Sequence, residues 1–233
     1  MVADRHVDTI REALAGYGDG TAGHIRIGAI EPAASRRLVP ALAAFHRSRP
    51  RVRVEVEVGG THTIAAMVAA RQLDVGIASA PPADSGLAFE PLFTERMALL
   101  LPRTHPLARR RRVRPRDLEG ERLLLTDRTC AFRRRIEDAL AATGVRPSPG
   151  VEIGSIAALA RAVECGLGLA ILPVAAASPP PPKTVLRAIH GLRLELLVGL
   201  VSPPDGAPFG RALLDLVEVI RGPRHARPDT ARA

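Results

Sequence analysis

The side chains best placed to do chemistry in this sequence are polar groups standing where an apolar strand gives way to a helix. Glu31 follows the run HIRIGAI, and Pro32 suits the first turn of the helix that comes next. A carboxylate there gains about 0.3–1 kcal/mol from the helix dipole with no ligand present. The same group would pair with a cationic or hydroxyl-bearing small molecule. Thr61, behind Gly59 and Gly60, has the residue type of a helix N-cap, and Ser79 follows the short apolar run DVGIA. In the second half Thr129 and Cys130 precede a helix that begins near Ala131, and Ser155 caps the next one, with Glu152 just upstream. Arg133, Arg134 and Arg135 fall on the first turns of the former helix. One of them is expected to reach a carboxylate and hold it bidentately, the others being solvated. Each group also has an ordinary use: capping for Thr61 and Ser155, a turn for Ser79, packing for Cys130. A thiol at a helix N-terminus can be acidified, but Cys130 has no resolving partner visible in the sequence.

This is the chemistry of holding a small molecule, and the motifs of bond-breaking are missing. The seven histidines, at 6, 24, 46, 62, 105, 190 and 225, match no HExxH or similar metal spacing. There is no GxSxG elbow and no P-loop. GLGLAIL has too few glycines for a dinucleotide fingerprint, and its glycines suit a tight helix-to-strand turn. No catalytic residue, cofactor or metal is expected.

The elements that must position these groups can be read from periodicity. His24–Ile30 alternates as a strand, and Leu38, Leu42 and Phe45 mark the inner face of a helix reaching about Ser48. Val52, Val54, Val56 and Val58 alternate with charged residues as a second strand. A helix from Thr61 turns Ile64, Met67 and Val68 inward and leads to the strand DVGIA. Strands follow near 87–93 and 96–101. A second strand-helix-strand-helix-strand unit then runs over 122–126, 131–143, 149–153, 155–165 and 168–172. A strand at 193–201 and an amphipathic helix at 208–221 complete the pattern. Such alternation implies parallel strands in two α/β units, with ligands bound beyond the strands' carboxyl ends.

Composition narrows the class further. At 233 residues with 46% hydrophobic side chains the chain is globular, and 3% aromatics without Trp disfavours carbohydrate or base-stacking platforms. Two distant cysteines imply no disulfide framework. The opening MVADRHVDTIREAL has no apolar signal core, and no apolar run approaches the roughly 20 residues of a membrane span. A cytoplasmic setting with no membrane partner is the expectation. The net charge of +9 favours acidic partners, yet the densest run, Arg109–Arg112 with Arg114 and Arg116, reads first as a solvated, Pro-flanked loop.

Several stretches carry a more specific signal. HIRIGAIEPAASRRLVPALAAFHRSRPRV and GGTHTIAAMVAARQLDVGIA resemble the opening of the effector-binding domain of LysR-type transcriptional regulators. FEPLFTERMALLLPRTHPLA is similar to that family's crossover segment. TDRTCAFRRRIEDAL and VEIGSIAALARAVECGLGLAILP are similar to its second lobe, including Glu152, Ser155, Gly166, Gly168 and Pro173. The resemblance covers about residues 3–221.

That resemblance implies an α/β fold of two Rossmann-like lobes with a hinge, a periplasmic-binding-protein-like (type 2) architecture. It implies lobe I at 24–101 and 197–221, lobe II at 102–196, a residual linker helix and flexible joint at 1–23, and a loose basic tail at 222–233. Family members often place Ser or Thr after the first strand to bond an anionic effector, whereas Glu31 and Ala33 stand at those places here. The implied effector-binding set is Glu31, Ala33, Thr61, Ser79, Thr129, Cys130 and Ser155. Closure would be transmitted by hinge strands near Leu101 and Leu200. The implied partners are a small-molecule effector and a homodimer or hetero-oligomer with a full-length regulator. Pairing would use the helices from Pro32 and Gly210. Promoter DNA would be met only through a helix-turn-helix that this sequence does not show. The alternatives are a solute-binding protein serving a transporter, or a truncated dimerisation partner.

Overall fold

The structure is a computed structural model that describes residues 22–128, 130–204 and 210–221. The expected linker helix, the joint up to residue 21 and the basic tail lie outside the described residues, as does Thr129, whereas Ala22 and Gly23, expected in the joint, begin the first strand. The first unit runs β1 (Ala22–Ala29), α1, β2 (Arg51–Val58), α2 (Thr61–Ala69) and β3 (Val75–Ser79). Helix α1 starts at Glu31–Ala33, widens into a π turn over Ala34–Leu38, and continues as an α-helix over Val39–Ser48. β1 lies between β2 and β3 and is parallel to both, as the strand-helix alternation implies. Arg26 and Asp74 pin β1 to the start of β3. The carboxylate accepts from the Arg26 backbone N–H at 2.7 Å and from its guanidinium at 3.0 Å.

The second unit repeats this plan. It comprises β5 (Arg122–Leu125), α3 (Ala131–Ala141), β6 (Ser148–Glu152), α4 (Ile156–Glu164) and β7 (Leu169–Pro173), with β5 parallel to β6 and β7. Two strands cross between the units. β4 (Ala88–Pro102) is one continuous strand, not the two read near 87–93 and 96–101. Pro91 reads as a break, but a register shift between Pro91 and Phe93 absorbs it while pairing with β9 (Glu195–Ser202) carries on. β8 (Thr184–Arg187), which hydrophobic patterning missed, pairs with the far end of β4. Helix α5 (Arg211–Arg221) packs back beside α1, where Arg49 forms an ion pair with Asp215. The strand order is β2-β1-β3-β9-β4-β7-β5-β6, which leaves β2 and β6 outermost among the described residues.

β4 changes partners between Arg96 and Met97, from antiparallel β9 on one side to β7 and β8 on the other. The Met97 N–H donates to the Leu194 carbonyl at 2.8 Å at that junction. Leu101 lies on β4 and Leu200 on β9, the two strands that cross between the units, and both sit inside paired, buried stretches. The place where pairing is exchanged is therefore Arg96–Met97 and Leu194–Glu195. A strand bends most easily where one ladder ends and another begins.

Of the predicted stripes, Leu38 and Phe45 on α1 and Ile64 and Val68 on α2 are buried, while Leu42 and Met67 are partly buried and Ala41 and Ala65 fill in beside them. Full burial of one such aliphatic side chain is worth about 1.5–3 kcal/mol. Helix α2 lies close on β1 and β3 because Gly28 and Gly76 leave room for Ile64. A Cβ on Gly76 would come within 2.5 Å of Ile64 Cγ2. Gly76→Val is accordingly expected to destabilise the fold by about 1–3 kcal/mol, the usual cost of overpacking, read as a lower urea midpoint with an unchanged m-value.

Candidate functional site

The carboxyl ends of β1, β2 and β3 meet on one rim. The Gly59 N–H donates to the Ala29 carbonyl at 3.1 Å, and the Ile30 N–H to the Ile77 carbonyl at 3.0 Å. Four of the expected site residues, Glu31, Ala33, Thr61 and Ser79, stand on this rim. Glu31 opens α1, where its own N–H and that of Ala33 belong to the first turn and have no intrahelical acceptor. Ala33 turns its methyl into the core, so only its backbone is left to meet a ligand. One carboxylate oxygen of Glu31 is buried without a hydrogen-bond partner, and this burial raises the Glu31 pKa above the usual carboxylate range.

Thr61 and Ser79 share a hydrogen bond of 2.8 Å between hydroxyls, at 2% and 6% exposure. Gly60, not Thr61, occupies the N-cap position of α2, and no side-chain cap bond is made there. Thr61 is the first residue of the helix proper. Its hydroxyl is directed to Ser79, the last residue of β3, rather than to its own helix. Sequence reasoning had the residue type right and its partner wrong.

On the second unit the matching rim is built by Thr126, Glu152, and the N-termini of α3 and α4. Ser155 caps α4, its hydroxyl accepting from the Ala158 N–H at 3.3 Å. Cys130 occupies the N-cap position of α3 without a side-chain cap bond. Arg133 is not the ligand-seeking cation anticipated among the three arginines. It is 4% exposed and donates to Thr126 O at 2.6 Å, Glu137 at 2.8 Å and Glu152 at 2.9 Å. Arg133 so ties the end of β5 to α3 and β6, and its hydrogen bond holds the Glu152 carboxyl below the usual range. Arg135 donates to the Glu195 and Arg193 carbonyls, fastening α3 to the crossover, while Arg134 is exposed.

The two rims are bonded to each other at one peptide group that sequence reasoning did not single out. Ala175, just beyond β7, receives a hydrogen bond on its carbonyl from Arg36 Nε at 2.6 Å. Its N–H donates to Glu95 Oε1 at 3.3 Å. Arg36 lies on the π turn of α1 and Glu95 on β4 beside the partner change, so both units and the crossover converge there. Neighbouring Arg37 stacks 3.9 Å above the Phe93 ring. Burial raises the Glu95 pKa, against the opposing pull of the Ala175 N–H, Arg37 and Arg96. Among the described residues no group of three His, Cys, Asp or Glu could hold a metal ion, and no helix is long and apolar enough to cross a membrane.

The family model for the LysR substrate binding domain matches residues 18–221. The chain belongs to the LysR substrate-binding domain family. The regulator CysL of Bacillus subtilis (strain 168) is 27% identical over 150 residues, 64% of this chain and 50% of that protein. The dual regulator GltC of the same organism is 26% identical over 87% of this chain and 68% of its own length. The chain thus spans about half to two thirds of the curated relatives it matches. Among solved structures, the effector binding domain of QuiR in complex with shikimate superposes with a TM-score of 0.76. It shares 17% identity across 85% of this chain and 95% of that one. The regulatory domain of Synechocystis PCC6803 CcmR, in complex with 2-PG, gives 0.77 at 19% identity, across 85% of this chain and 96% of that one. The LysR-family domain therefore has the type 2 periplasmic-binding-protein-like fold that its sequence implied.

Two outcomes follow for the LysR-family domain. Thr61→Val leaves the Ser79 hydroxyl buried and unpaired, so it should cost about 1–3 kcal/mol. Adding Ser79→Ala should recover most of that loss, which a double-mutant cycle of urea midpoints measures. Glu95 has a folded pKa raised above its unfolded value, so its contribution favours folding at low pH. That contribution is lost as pH rises through the raised value. Glu95→Gln keeps an acceptor for Ala175 without the charge. Its stability relative to the native chain should increase from pH 4 to pH 8, and a constant difference would remove this assignment.

Proposed function

We propose that this chain is the effector-sensing portion of a LysR-type transcriptional regulator, and that it binds a small molecule between the rims of its two α/β units. The observation that carries this reading is the junction at Ala175, where Arg36, on the helix that Glu31 opens, and Glu95 tie the two rims together. The effector set is Glu31, the backbone at Ala33, Thr61 and Ser79 from the first unit, with Thr129, Cys130 and Ser155 from the second. Lobe I comprises the elements around β1 and lobe II those around β5, with closure about Arg96–Met97 and Leu194–Glu195. A ligand bridging the rims favours the closed arrangement only by its differential affinity for it. The relatives' names as transcriptional regulators support this reading over a solute receptor. A cytoplasmic, non-catalytic protein accords with it.

The unpaired Glu31 oxygen selects the chemistry of the effector. A buried acceptor lacking a donor is costly, and an amine or hydroxyl on the ligand would supply that donor. The regulator reading also includes an oligomer, with Val39 on α1 and Leu214 on α5 exposed at 57% and 47% on the neighbouring helices expected to pair.

Calorimetric screening of small amines, hydroxy compounds and carboxylates tests the site. An effector bearing an amine or hydroxyl should bind the native chain and lose at least tenfold in affinity to Glu31→Gln. Glu31→Thr should shift preference toward carboxylates. Unchanged binding of the effector to both variants would take Glu31 out of the site.

A further inference from the structure

No aspartate or glutamate occurs between Glu95 and Asp117, or between Glu164 and Glu195. The fold lays these two acid-free stretches against one another. The last residues of β4 pair with β7 and β8. Beyond the strands, the Arg103 N–H donates to the Lys183 carbonyl at 2.7 Å, and Arg187 Nη2 to the Ala108 carbonyl at 2.8 Å. Val113 bridges to Ile189, and the His190 N–H donates to the Val113 carbonyl at 2.8 Å. One surface of the second unit thereby displays Arg103, Arg109, Arg111, Arg112, Arg116 and Lys183, all exposed.

The acids next to these stretches are Asp117, Glu119 and Glu121, three against six exposed cations, and each already has a partner. Asp117 holds Arg110 at 2.7 Å and accepts from the Arg114 N–H at 2.8 Å. Glu119 accepts from the Arg146 N–H at 2.9 Å, and Glu121 lies 3.4 Å from His105. Elsewhere arginines are matched with carboxylates, as in Arg26–Asp74, Arg49–Asp215 and Arg221–Glu90. Residues 32–54 are also free of acids, but there Arg49 and Arg53 pair with Asp215 and Glu55, Arg36 donates to the Ala175 carbonyl and Arg37 stacks on Phe93. On the second unit the excess of positive charge is gathered onto one face.

We infer that this basic face binds the phosphate backbone of duplex DNA, independently of the effector site. Clustered guanidinium groups meet phosphate oxygens bidentately and release counterions from the duplex. Neither acid-free stretch contains Phe, Trp or Tyr, so there is no platform on which single-stranded bases would stack. The arginines stand on loops and on the short 3-10 turns Pro106–Arg109 and Pro115–Leu118, not on a helix that could enter a groove. Binding is therefore to backbone alone, without sequence preference. Membership of a family whose relatives are named as transcriptional regulators makes DNA the polyanion at hand.

Fluorescence anisotropy with two unrelated 24-base-pair duplexes, from 50 to 200 mM salt, tests the assignment on the 233-residue chain. Both duplexes should bind equally, with log K falling linearly in log salt. The triple variant R109E/R111E/R112E should lose more than tenfold in affinity at 50 mM salt. Its salt slope should flatten by about 3, given about 0.9 for each phosphate that is no longer neutralised. The variant R47E/R51E/R53E lowers net charge equally on the first unit and should retain native affinity, as should R109K/R111K/R112K. Circular dichroism melting checks that all variants fold. No binding at 50 mM salt, equal losses in the two Glu triples, or tighter binding to phosphatidylglycerol vesicles at the same phosphate concentration would overturn the proposal.

Discussion

β4 belongs to two sheets at once, and the arrangement of the whole molecule depends on that sharing. Its residues up to Arg96 pair with β9, and its residues from Met97 onward pair with β7 and β8. Leu99, Leu100 and Leu101 are fully buried in the second stretch, so the strand cannot be withdrawn without opening the core there. The two units are consequently joined by continuous covalent strand and by hydrogen-bond ladders on both sides of the junction. The Ala175 peptide, bonded to Arg36 from α1 and Glu95 from β4, adds a further tie between the units beside the segment where partners are exchanged.

Much of this was legible in the residues. The Val52–Val58 alternation became β2, the two strand-helix repeats became the two parallel triplets, and the Ser155 cap is where its type placed it. What escaped depended on contacts distant in sequence. Pro91 reads as the end of a strand because its ring removes a donor, yet a bulge tolerates that loss. Thr61 reads as a cap because capping is the local use of a threonine, whereas its partner is Ser79 on another element. Three consecutive arginines on α3 look alike locally. Only the 3–4 spacing of Arg133, Ile136 and Leu140 marks the first of them as the inward one. Glu95 could have been noticed similarly, since strand alternation places it on the face of Phe93 and Met97.

Charge is distributed unevenly over the fold. On the inner side, two carboxyl groups are held above their usual pKa by loss of water, the partly buried Glu31 and the buried Glu95. On the outer surface of the second unit the opposite sign accumulates, because two acid-free stretches are neighbours in the sheet. Small polar ligands and extended polyanions would thus meet different parts of the molecule. The first meets a few groups with strict geometry, the second a broad field with little.

The outermost strands β2 and β6 have a consequence for how the protein behaves in concentrated solution. An open strand edge invites another chain to add itself, and repetition of that event produces fibres. β2 presents Arg51, Arg53, Glu55 and Glu57 along its length, with Glu55 drawn to Arg53 and His24, so an identical strand approaching it in parallel register meets like charge opposite like charge. β6 carries Pro149, which has no N–H to offer an incoming strand. These two outer strands are in this way closed chemically, β2 by repulsion and β6 by a missing donor.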